Sequence, residues 1–394
     1  MSVWIIEPRD PLIFRDGRPF EAVPGTKAVS LPFPFPSTTA GAVRTREGQD
    51  PEGRFQKKEV SRVKEIAIRG PLLVELDNKT GDIEQWLVHA PSDALLLELE
   101  PPERKGAMLK RLVPLETATD TFTNLPHGLS LVGMPRPDFR KPSKNAPRYW
   151  YWETFEKWLI EPEEQEINLQ DMGHDGSARE GRFHAGIDPE TGAADVERGA
   201  LFQTRGLEFT ASRSERDLSD ARRLALSIAT EAPKLRNGLG FLGGERRLVA
   251  WRKSKVSLPV CPDPLKGHIA RHRHCRVVLL TPAYFELGWK PTWLFNEVQG
   301  VTPRLQAVAI GRPCIAAGWD MEKRGAKPAR RLAPAGTVLF LELSGNDDAI
   351  ERWVDRIWMS CVSDGKQDRL DGFGLAALGT WDGTFRRMEV YIES

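Results

Sequence analysis

Arginine and lysine side chains in turn-rich segments are the residues of this sequence best suited to chemistry, because guanidinium and ammonium groups bind phosphates. Arg15 and Arg18 lie in a loop after the first predicted strand. Lys327, Arg330 and Arg331 lie in a second segment, which holds five cations against two acids between positions 318 and 331. Both segments favour contact with a phosphodiester backbone. In the first segment, neutralisation of the arginines by adjacent aspartates remains an alternative.

A helix start after a proline-rich approach is a second candidate anion site. Ser37 follows Pro36 and is the predicted N-cap of a helix that runs to about Arg46. Small residues, Thr38 and Gly41 among them, would let an anion approach the free N–H groups of the first turn. Arg44 lies further along the same helix. A capped packing helix with no ligand is the alternative.

Two glycine-rich segments could cradle phosphates with backbone N–H groups. The first is Gly238–Arg247, which contains Gly243 and Arg246, and the second is Gly372–Gly379. Neither has the Gly-Lys-Ser/Thr of a Walker A loop, and each follows a predicted helix instead of opening one. A nucleotide hydrolase is therefore disfavoured, and simple turn formation stays an alternative for both segments.

Histidines offer little support for catalysis or metal binding. His184, in a predicted hairpin with Ile187, could act as a general base, but no neighbour in sequence would orient it. The histidines between positions 266 and 276 lack the second ligand pair of a zinc site. We therefore predict a basic surface or disordered loop there, no catalytic residue, no metal and no cofactor.

Composition excludes a uniformly basic protein. The 394 residues carry 56 Lys and Arg against 55 Asp and Glu, a formal net charge of +1. Charge is nevertheless segregated, with an acidic run at 161–166 and basic runs at 266–276 and 323–331. The four cysteines are scattered, so no disulfide framework or zinc ribbon is predicted. The absence of a long apolar run or leader pattern predicts a cytoplasmic protein that does not cross a membrane.

The elements that position these residues are clearest in the C-terminal half. Strand-like runs occupy 275–282, 305–316 and 336–343, and 291–297 could form a short helix. An apolar stripe over 347–361 predicts an amphipathic helix, with Asn346 or Asp347 as its N-cap. A last strand follows the glycine segment. The predicted order is βαββαβ.

The N-terminal half receives the same interpretation, with insertions. Strand 3–7, helix 37–46 and three strands within 72–99 precede a hairpin at 182–207. A helical stripe and a strand at 248–256 then follow; the stripe consists of Leu218, Ala221, Ala225, Ile228 and Ala229. The predicted class is α+β, with two tandem ferredoxin-like (RRM-like) domains and β-hairpin excursions. Domain one spans 1–260, with an insertion at about 60–180 and a thumb-like hairpin at about 182–207, and domain two spans 261–394.

Five motifs, in order along the chain, carry a family resemblance. They are IEPRDPLIFRDGRPF at 6–20, PFPSTTAGAVRT at 34–45, the HAGID hairpin from His184, GFLGGERR at 240–247 and the segment from Gly318 to Glu342. Together they resemble the third subunit of the type III-B CRISPR Cmr (RAMP module) complex, of the RAMP superfamily. The resemblance extends from Ile6 to about Trp381, but residues 100–179 and 266–276 match nothing in it.

The resemblance implies a non-catalytic subunit that binds the repeat-derived 5′ handle of the CRISPR RNA and caps one end of an antiviral effector ribonucleoprotein. Its implied partners are the large polymerase/cyclase-like subunit and other RAMP subunits, with target RNA an indirect partner. The implied RNA-binding residues are Arg15, Arg18, Ser37, Thr38, Gly41, Arg44, His184, Ile187, Gly243, Arg246, Arg247, Lys327, Arg330 and Arg331. Two alternatives remain open: a metal-independent endoribonuclease of CRISPR repeat RNA, and a structural adaptor whose basic loops face an acidic partner.

Overall fold

The computed structural model describes residues 1–15, 27–28, 30–99, 106–117, 122–188, 190–193, 201–211, 221–320 and 325–389. Arg18 lies outside them. In the first 260 residues the strands are β1 (Ser2–Pro8), β2 (Lys27–Ala28), β3 (Ile68–Leu76), β4 (Ile83–His89), β5 (Ala94–Glu98), β6 (Ala107–Arg111), β7 (Val113–Pro114), β8 (Val132–Gly133), β9 (Tyr149–Tyr151), β10 (Gln165–Ile167), β11 (Gly173–His174), β12 (Ala178–Ala185), β13 (Leu201–Glu208), β14 (Thr210–Ala211), β15 (Arg222–Thr230), β16 (Gly238–Phe241) and β17 (Leu248–Lys253). The helices of the same part are α1 (Pro36–Glu47), α2 (Val60–Lys64), α3 (Trp152–Ile160) and α4 (Leu169–Met172).

The remaining residues contain a smaller set of elements. The strands are β18 (His274–Leu279), β19 (Thr302–Ala309), β20 (Cys314–Asp320), β21 (Gly325–Leu332), β22 (Val338–Ser344), β23 (Ser360–Cys361) and β24 (Leu375–Thr380). The helices are α5 (Asp263–His272), α6 (Asp347–Ile357) and α7 (Lys366–Asp371). Short 3-10 turns occur at Lys57–Glu59, Gly244–Arg246 and Trp293–Phe295. No helix in these described stretches has both the length and the apolarity needed to cross a membrane.

The first sheet is antiparallel and runs in the order β11-β9-β4-β3-β15-β1-β17-β16. Its central strand β1 is buried on both sides, because Val3 and Ile5 pack into one apolar cluster while Trp4 and Ile6 pack into another. A strand covered on both faces reads as a continuous apolar run. The sheet therefore separates two layers of core and fixes the loops that leave its ends.

The predicted helix over Leu218–Ala229 is wrong, because Arg222–Thr230 forms the central strand β15. Leu218 lies outside the described residues. Within β15, Leu224 and Leu226 face one cluster whereas Ala225 and Ala229 face the other. A strand buried on both faces has apolar residues at every spacing, so the helical period it contains carries no information. Alanine, with its high helix propensity, strengthened the mistaken interpretation.

The second sheet is also antiparallel, in the order β19-β22-β18-β24-β23. The predicted helix at 347 is confirmed as α6, and Asn346 is its N-cap, since its side-chain oxygen accepts from Ala349 N–H at 2.8 Å. The predicted strand over 305–316 is instead divided between β19 and β20. The polar segment after it forms the outer part of the antiparallel β20–β21 hairpin.

A shared apolar core joins the two sheets. It contains Ile5 and Val74 from the first sheet and Val277 and Phe340 from the second. Helix α3 adds Trp158 to the same core, so this part of the insertion predicted at about 60–180 packs against the sheets. The architecture is a mixed α/β chain with several antiparallel sheets, and the proposed boundary between two domains at 260 stays a prediction.

Candidate nucleic-acid interface

The loop after β1 meets the first glycine-rich segment. Gly244 N–H donates to the carbonyl of Ile13 at 2.7 Å, and the backbone of Arg15 pairs with Ser30. Gly243 has φ +78°, and a Cβ there would lie 2.6 Å from the Ile13 carbonyl oxygen. Glycine is therefore needed at position 243 for both its conformation and the close approach. As a result, the exposed Arg15 lies beside the turn that carries Arg246 and Arg247.

Arg246 and Arg247 occupy different environments despite being adjacent. The Arg246 guanidinium lies 4.6 Å from the ring centroid of Phe241, a side chain that is itself half exposed. Arg247 is paired with Glu245 at 2.7 Å, and its side chain is only 16% exposed. An exposed arginine over an aromatic ring suits both a phosphate and a stacked base. Arg246 and Phe241 therefore form the more accessible part of this segment.

The predicted hairpin at 182–207 is confirmed as the antiparallel pair β12 and β13. Its base is joined to the loop after β1 by reciprocal backbone hydrogen bonds between Leu12 and Leu207 at 2.9 and 2.8 Å. His184 faces Thr204 across the pair, with Nε2 and Oγ1 separated by 2.8 Å. Phe183 and Ile187 are both strongly exposed. The hairpin thus presents large apolar groups, which suit stacking or wedging better than proton transfer.

The N-cap of helix α1 lies two residues earlier than predicted. Phe35 is its N-cap and makes no side-chain capping bond, so Ser37 as N-cap is wrong. Pro36 at the first helical position has a fixed φ that suits a helix start. Ser37 and Thr38 therefore lie in the first turn, half-buried, while Gly41 is exposed with open space around its Cα.

Two arginines of α1 hold neighbouring elements. Arg44 pairs with Asp371 of α7 and also donates to the carbonyls of Ile66 and Leu370, which leaves its side chain 12% exposed. Arg46 donates to the carbonyls of Arg236 and Leu239 at 3.1 and 2.9 Å, and burial lowers its pKa. In the structure Arg44 is thus an anchor to α7, and Arg46 fixes the strand that leads to Phe241.

The basic hairpin β20–β21 is anchored by its middle arginine. Arg330 pairs with Asp368 of α7 at 2.6 Å and lies 4.8 Å from the ring centroid of Tyr284. Lys327 and Arg331 are exposed. At the hairpin base, Ala316 and Leu332 pack with Phe373, and Phe35 of the α1 N-cap covers that small cluster. The start of α1 and the base of the hairpin therefore lie side by side.

Contacts made by α1 connect most of the predicted site. Arg44 and Asp371 join α1 to α7, which holds Arg330, and Arg46 joins α1 to β16, which carries Phe241. Phe183 and Phe241 were not predicted as site residues. Strand alternation beside His184 was the only sequence signal for Phe183. Phe241 is placed by the contact of Arg46 with β16, which joins segments about 190 positions apart in sequence.

The basic segment 266–276 is not the disordered loop that was one of the predicted alternatives, although Arg271, His272 and Arg273 do lie at the surface. Its first part is helix α5, where His268 and His272 stack at 4.2 Å between ring centroids. Its last residue, Arg276, is completely buried and pairs with Asp93. No group of three or more potential metal-ligating side chains occurs within the ranges that the structure describes.

Comparison with known proteins places the chain among CRISPR-associated proteins. A family model described as CRISPR-associated protein (Cas_Cmr3) matches residues 4–381. The fold is similar to a chain of the type III-B Cmr-beta bound to cognate target RNA and AMPPnP, with 14% identity over 90% of this chain and 88% of that chain and a TM-score of 0.46. A chain of the Csm3-Csm4 subcomplex of the type III-A CRISPR-Cas interference complex matches with 11% identity over 88% of this chain and 94% of that chain, and with a TM-score of 0.30. A search of curated proteins gave no match.

Proposed function

The chain belongs to the Cas_Cmr3 family of CRISPR-associated proteins, and from this premise we propose that it binds the repeat-derived 5′ handle of the guide RNA. The family match confirms the expectation of a Cmr-type protein. We place the chain at the handle end of a type III-B effector ribonucleoprotein, docked on the large polymerase/cyclase-like subunit. In this proposal the two sheets are ferredoxin-like units. Four neighbouring strands in each, β17-β1-β15-β3 and β24-β18-β22-β19, have the ferredoxin-like order 4-1-3-2 when numbered along the chain.

One observation carries the RNA-binding proposal. Helix α7 holds Arg44 of α1 through Asp371 and Arg330 of the hairpin through Asp368. This places the first turn of α1 beside a hairpin whose remaining cations, Lys327 and Arg331, are exposed. Exposed cations favour phosphate oxygens, whereas the first turn of α1 has few N–H groups to offer, since Pro36 has none and Thr38 N–H donates to the Phe35 carbonyl at 2.9 Å. Arg330 and Arg44 then act as positioning residues, because their charges are engaged by α7.

The test replaces the two exposed cations together, as Lys327→Ala with Arg331→Ala, in the assembled effector complex. If each side chain neutralises one phosphate, affinity for handle-bearing RNA falls and the slope of log affinity against log salt drops by about 2. Binding is measured by fluorescence anisotropy at several salt concentrations. The matched control is Lys141→Ala with Lys144→Ala, which removes the same charge from exposed positions elsewhere.

An unchanged affinity and salt slope in the Lys327 and Arg331 double variant would exclude the hairpin as the contact. An equal loss of affinity in the control would show that the effect comes from the change in net charge and not from contacts of the hairpin. Crosslinking of the hairpin to RNA within the complex separates a clamp from a purely structural adaptor.

We also propose that the chain is non-catalytic. His184 Nε2 lies 2.8 Å from the hydroxyl of Thr204 across the hairpin, and the strongly exposed Phe183 and Ile187 beside it favour base stacking over proton transfer. The chain is therefore expected to leave repeat RNA intact in EDTA. Site-specific cleavage that disappears in His184→Ala would instead establish the endoribonuclease alternative.

A further inference from the structure

A small cavity of about 210 Å³ lies on the side of α7 away from the proposed interface. Residues from both halves of the chain line it, including Ala67–Arg69 before and within β3, Trp293 and Arg356 of α6. Helix α7 contributes Lys366 and Arg369. Four cationic side chains thus converge on one small space, and none of the described lining residues is acidic.

The positive charge of this cavity is only partly compensated. Lys366 pairs with Glu65 at 2.8 Å, and both of these side chains are largely exposed at the rim. Arg369 donates to the carbonyls of Ser363 and Asp364, each at 2.6 Å, and these neutral acceptors leave its charge in place. Across the described chain, Arg69 and Arg356 have no side-chain hydrogen bond or ion pair.

Two carboxylates near Arg369, those of Asp364 and Asp368, offset part of its charge from outside the cavity lining. Asp364 accepts backbone hydrogen bonds from Glu286, Thr292 and Trp293, at 2.9, 2.7 and 2.9 Å. Asp368 pairs with Arg330 of the hairpin. Neither carboxylate is among the residues that line the cavity. An excess of positive charge therefore faces the cavity, and an anion is the ligand that would offset it.

Helical spacing explains why α7 serves two surfaces. Lys366 and Arg369 are three residues apart and face the cavity, whereas Asp368 and Asp371 lie on the other side and hold Arg330 and Arg44. Residues three apart share a helix face, and a shift of two residues reaches the opposite one. The cavity is therefore built by different side chains from those of the RNA interface.

We propose that this cavity binds a phosphate group, either as inorganic phosphate or as the phosphate monoester of a small sugar or nucleotide. A guanidinium group can bind two phosphate oxygens at once, and three of the four cations are arginines. The volume is below the roughly 300 to 1,000 Å³ of pockets for drug-sized ligands, which favours a small anion. Trp293, with Arg369 at 4.3 Å over its ring, offers an apolar wall for the rest of an ester. This site goes beyond the proposed handle interface and does not depend on it.

The experiment titrates the purified full chain with three probes: inorganic phosphate, ribose 5-phosphate and UMP. Isothermal titration calorimetry gives affinity, and ³¹P NMR line broadening confirms contact at the phosphorus. Equal binding of all three probes identifies the phosphate alone as the recognised group. Tighter binding of UMP assigns a contribution to the base, and both results support the proposal.

The variants test whether the cavity is the place of binding. Arg69→Ala with Arg356→Ala is expected to weaken phosphate binding at least tenfold. Arg356→Glu, a single change at an exposed helix position, is the second variant in case the double variant does not fold. The matched control, Arg352→Ala, removes an exposed arginine one turn earlier on α6, outside the cavity lining.

Two outcomes would overturn the proposal. One is the absence of binding of all three probes at millimolar concentration by the folded wild-type chain. The other is an equal loss of binding in Arg352→Ala, since this would indicate a general surface effect. Handle-RNA binding by complexes that carry the Arg356→Glu chain is expected to match wild type. A failure of this cavity and a failure of the RNA interface are thus seen in different assays.

Discussion

The two basic segments of the chain, 266–276 and 323–331, are both rich in cations, but their arginines end in different environments. The first becomes helix α5 and the start of β18, and its Arg276 is completely buried against Asp93. Residues 325–331 of the second lie in the hairpin strand β21, where Lys327 and Arg331 are exposed while Arg330 is held by Asp368. A run of cations therefore does not by itself indicate an interaction surface. The pairing available to each side chain decides its role.

Burial determines what each arginine contributes. Arg276 donates to Asp93, to the Thr380 carbonyl at 2.8 Å and to the Trp158 carbonyl at 2.7 Å, so its charge is satisfied inside the protein. It therefore links the second sheet to α3 and to the turn before β5. Such a pair makes structure depend on both partners, since either one alone would be a buried uncompensated charge. The exposed hairpin cations, Lys327 and Arg331, have no such structural role.

The largest expected effect is that of Asp93→Ala, which breaks the buried ion pair with Arg276. The substitution leaves Arg276 buried without its counterion, and the free energy of unfolding is expected to fall by about 3–5 kcal/mol. Denaturant unfolding followed by circular dichroism measures the change. The control is Lys266→Ala in the same basic segment, which removes a more exposed pair with Asp355 and should cost about 0–1 kcal/mol. Similar losses in both variants would contradict the contrast between buried and exposed cations.

An intermediate effect is expected for Arg330→Ala in the β20–β21 hairpin. The change removes the pair with Asp368, a buried carboxylate, and the contacts with the rings of Tyr284 and Phe373. The unfolding free energy should fall by about 2 kcal/mol, and handle affinity should fall because the hairpin loses its anchor. Arg330→Lys should restore only part of both, since an ammonium lacks the planar fork. Lys327→Ala should leave stability within about 0.5 kcal/mol of wild type.

A smaller effect is expected on the pH dependence of stability, through His89, whose side chain can lose its positive charge. Burial lowers the pKa of His89 to about 4, with a further contribution from Arg148. Between that value and the usual 6.5 the unfolded chain binds the proton and the folded chain does not, so stability falls as pH falls through this window. The full shift corresponds to about 3 kcal/mol. Partial exposure of the side chain reduces the expected loss to about 1–2 kcal/mol.

His89→Gln supplies the matched variant for this measurement. Its unfolding free energy should vary less than that of wild type between pH 6.5 and 4, because the amide does not titrate. Thermal or denaturant unfolding at several pH values provides the comparison. Parallel pH profiles for the two proteins would show that other groups govern acid stability.

Some features of the fold were predictable because they depend on local patterns. The stripe of α6 and its Asn346 cap were visible in sequence, since a helix packed on one side keeps a 3.6-residue period. The hairpin at 182–207 was predicted and is confirmed as β12 and β13, whereas strands β20 and β21 lie largely within a segment predicted as a polar loop. The ordered motifs from Ile6 to Trp381 indicated the family, and the family model matches nearly the same range.

Other features depended on contacts between distant segments. β15 was mistaken for a helix because burial on both faces removes the period that distinguishes the two structures. Arg44, predicted to bind RNA, is engaged by Asp371, which lies 327 positions later. The cavity beside α7 draws its cations from β3, α6 and α7. Local patterns along the chain were enough to indicate these elements and the family. Which cations are neutralised depends on the folded arrangement, because an ion pair is set by distances in space and not by spacing along the chain.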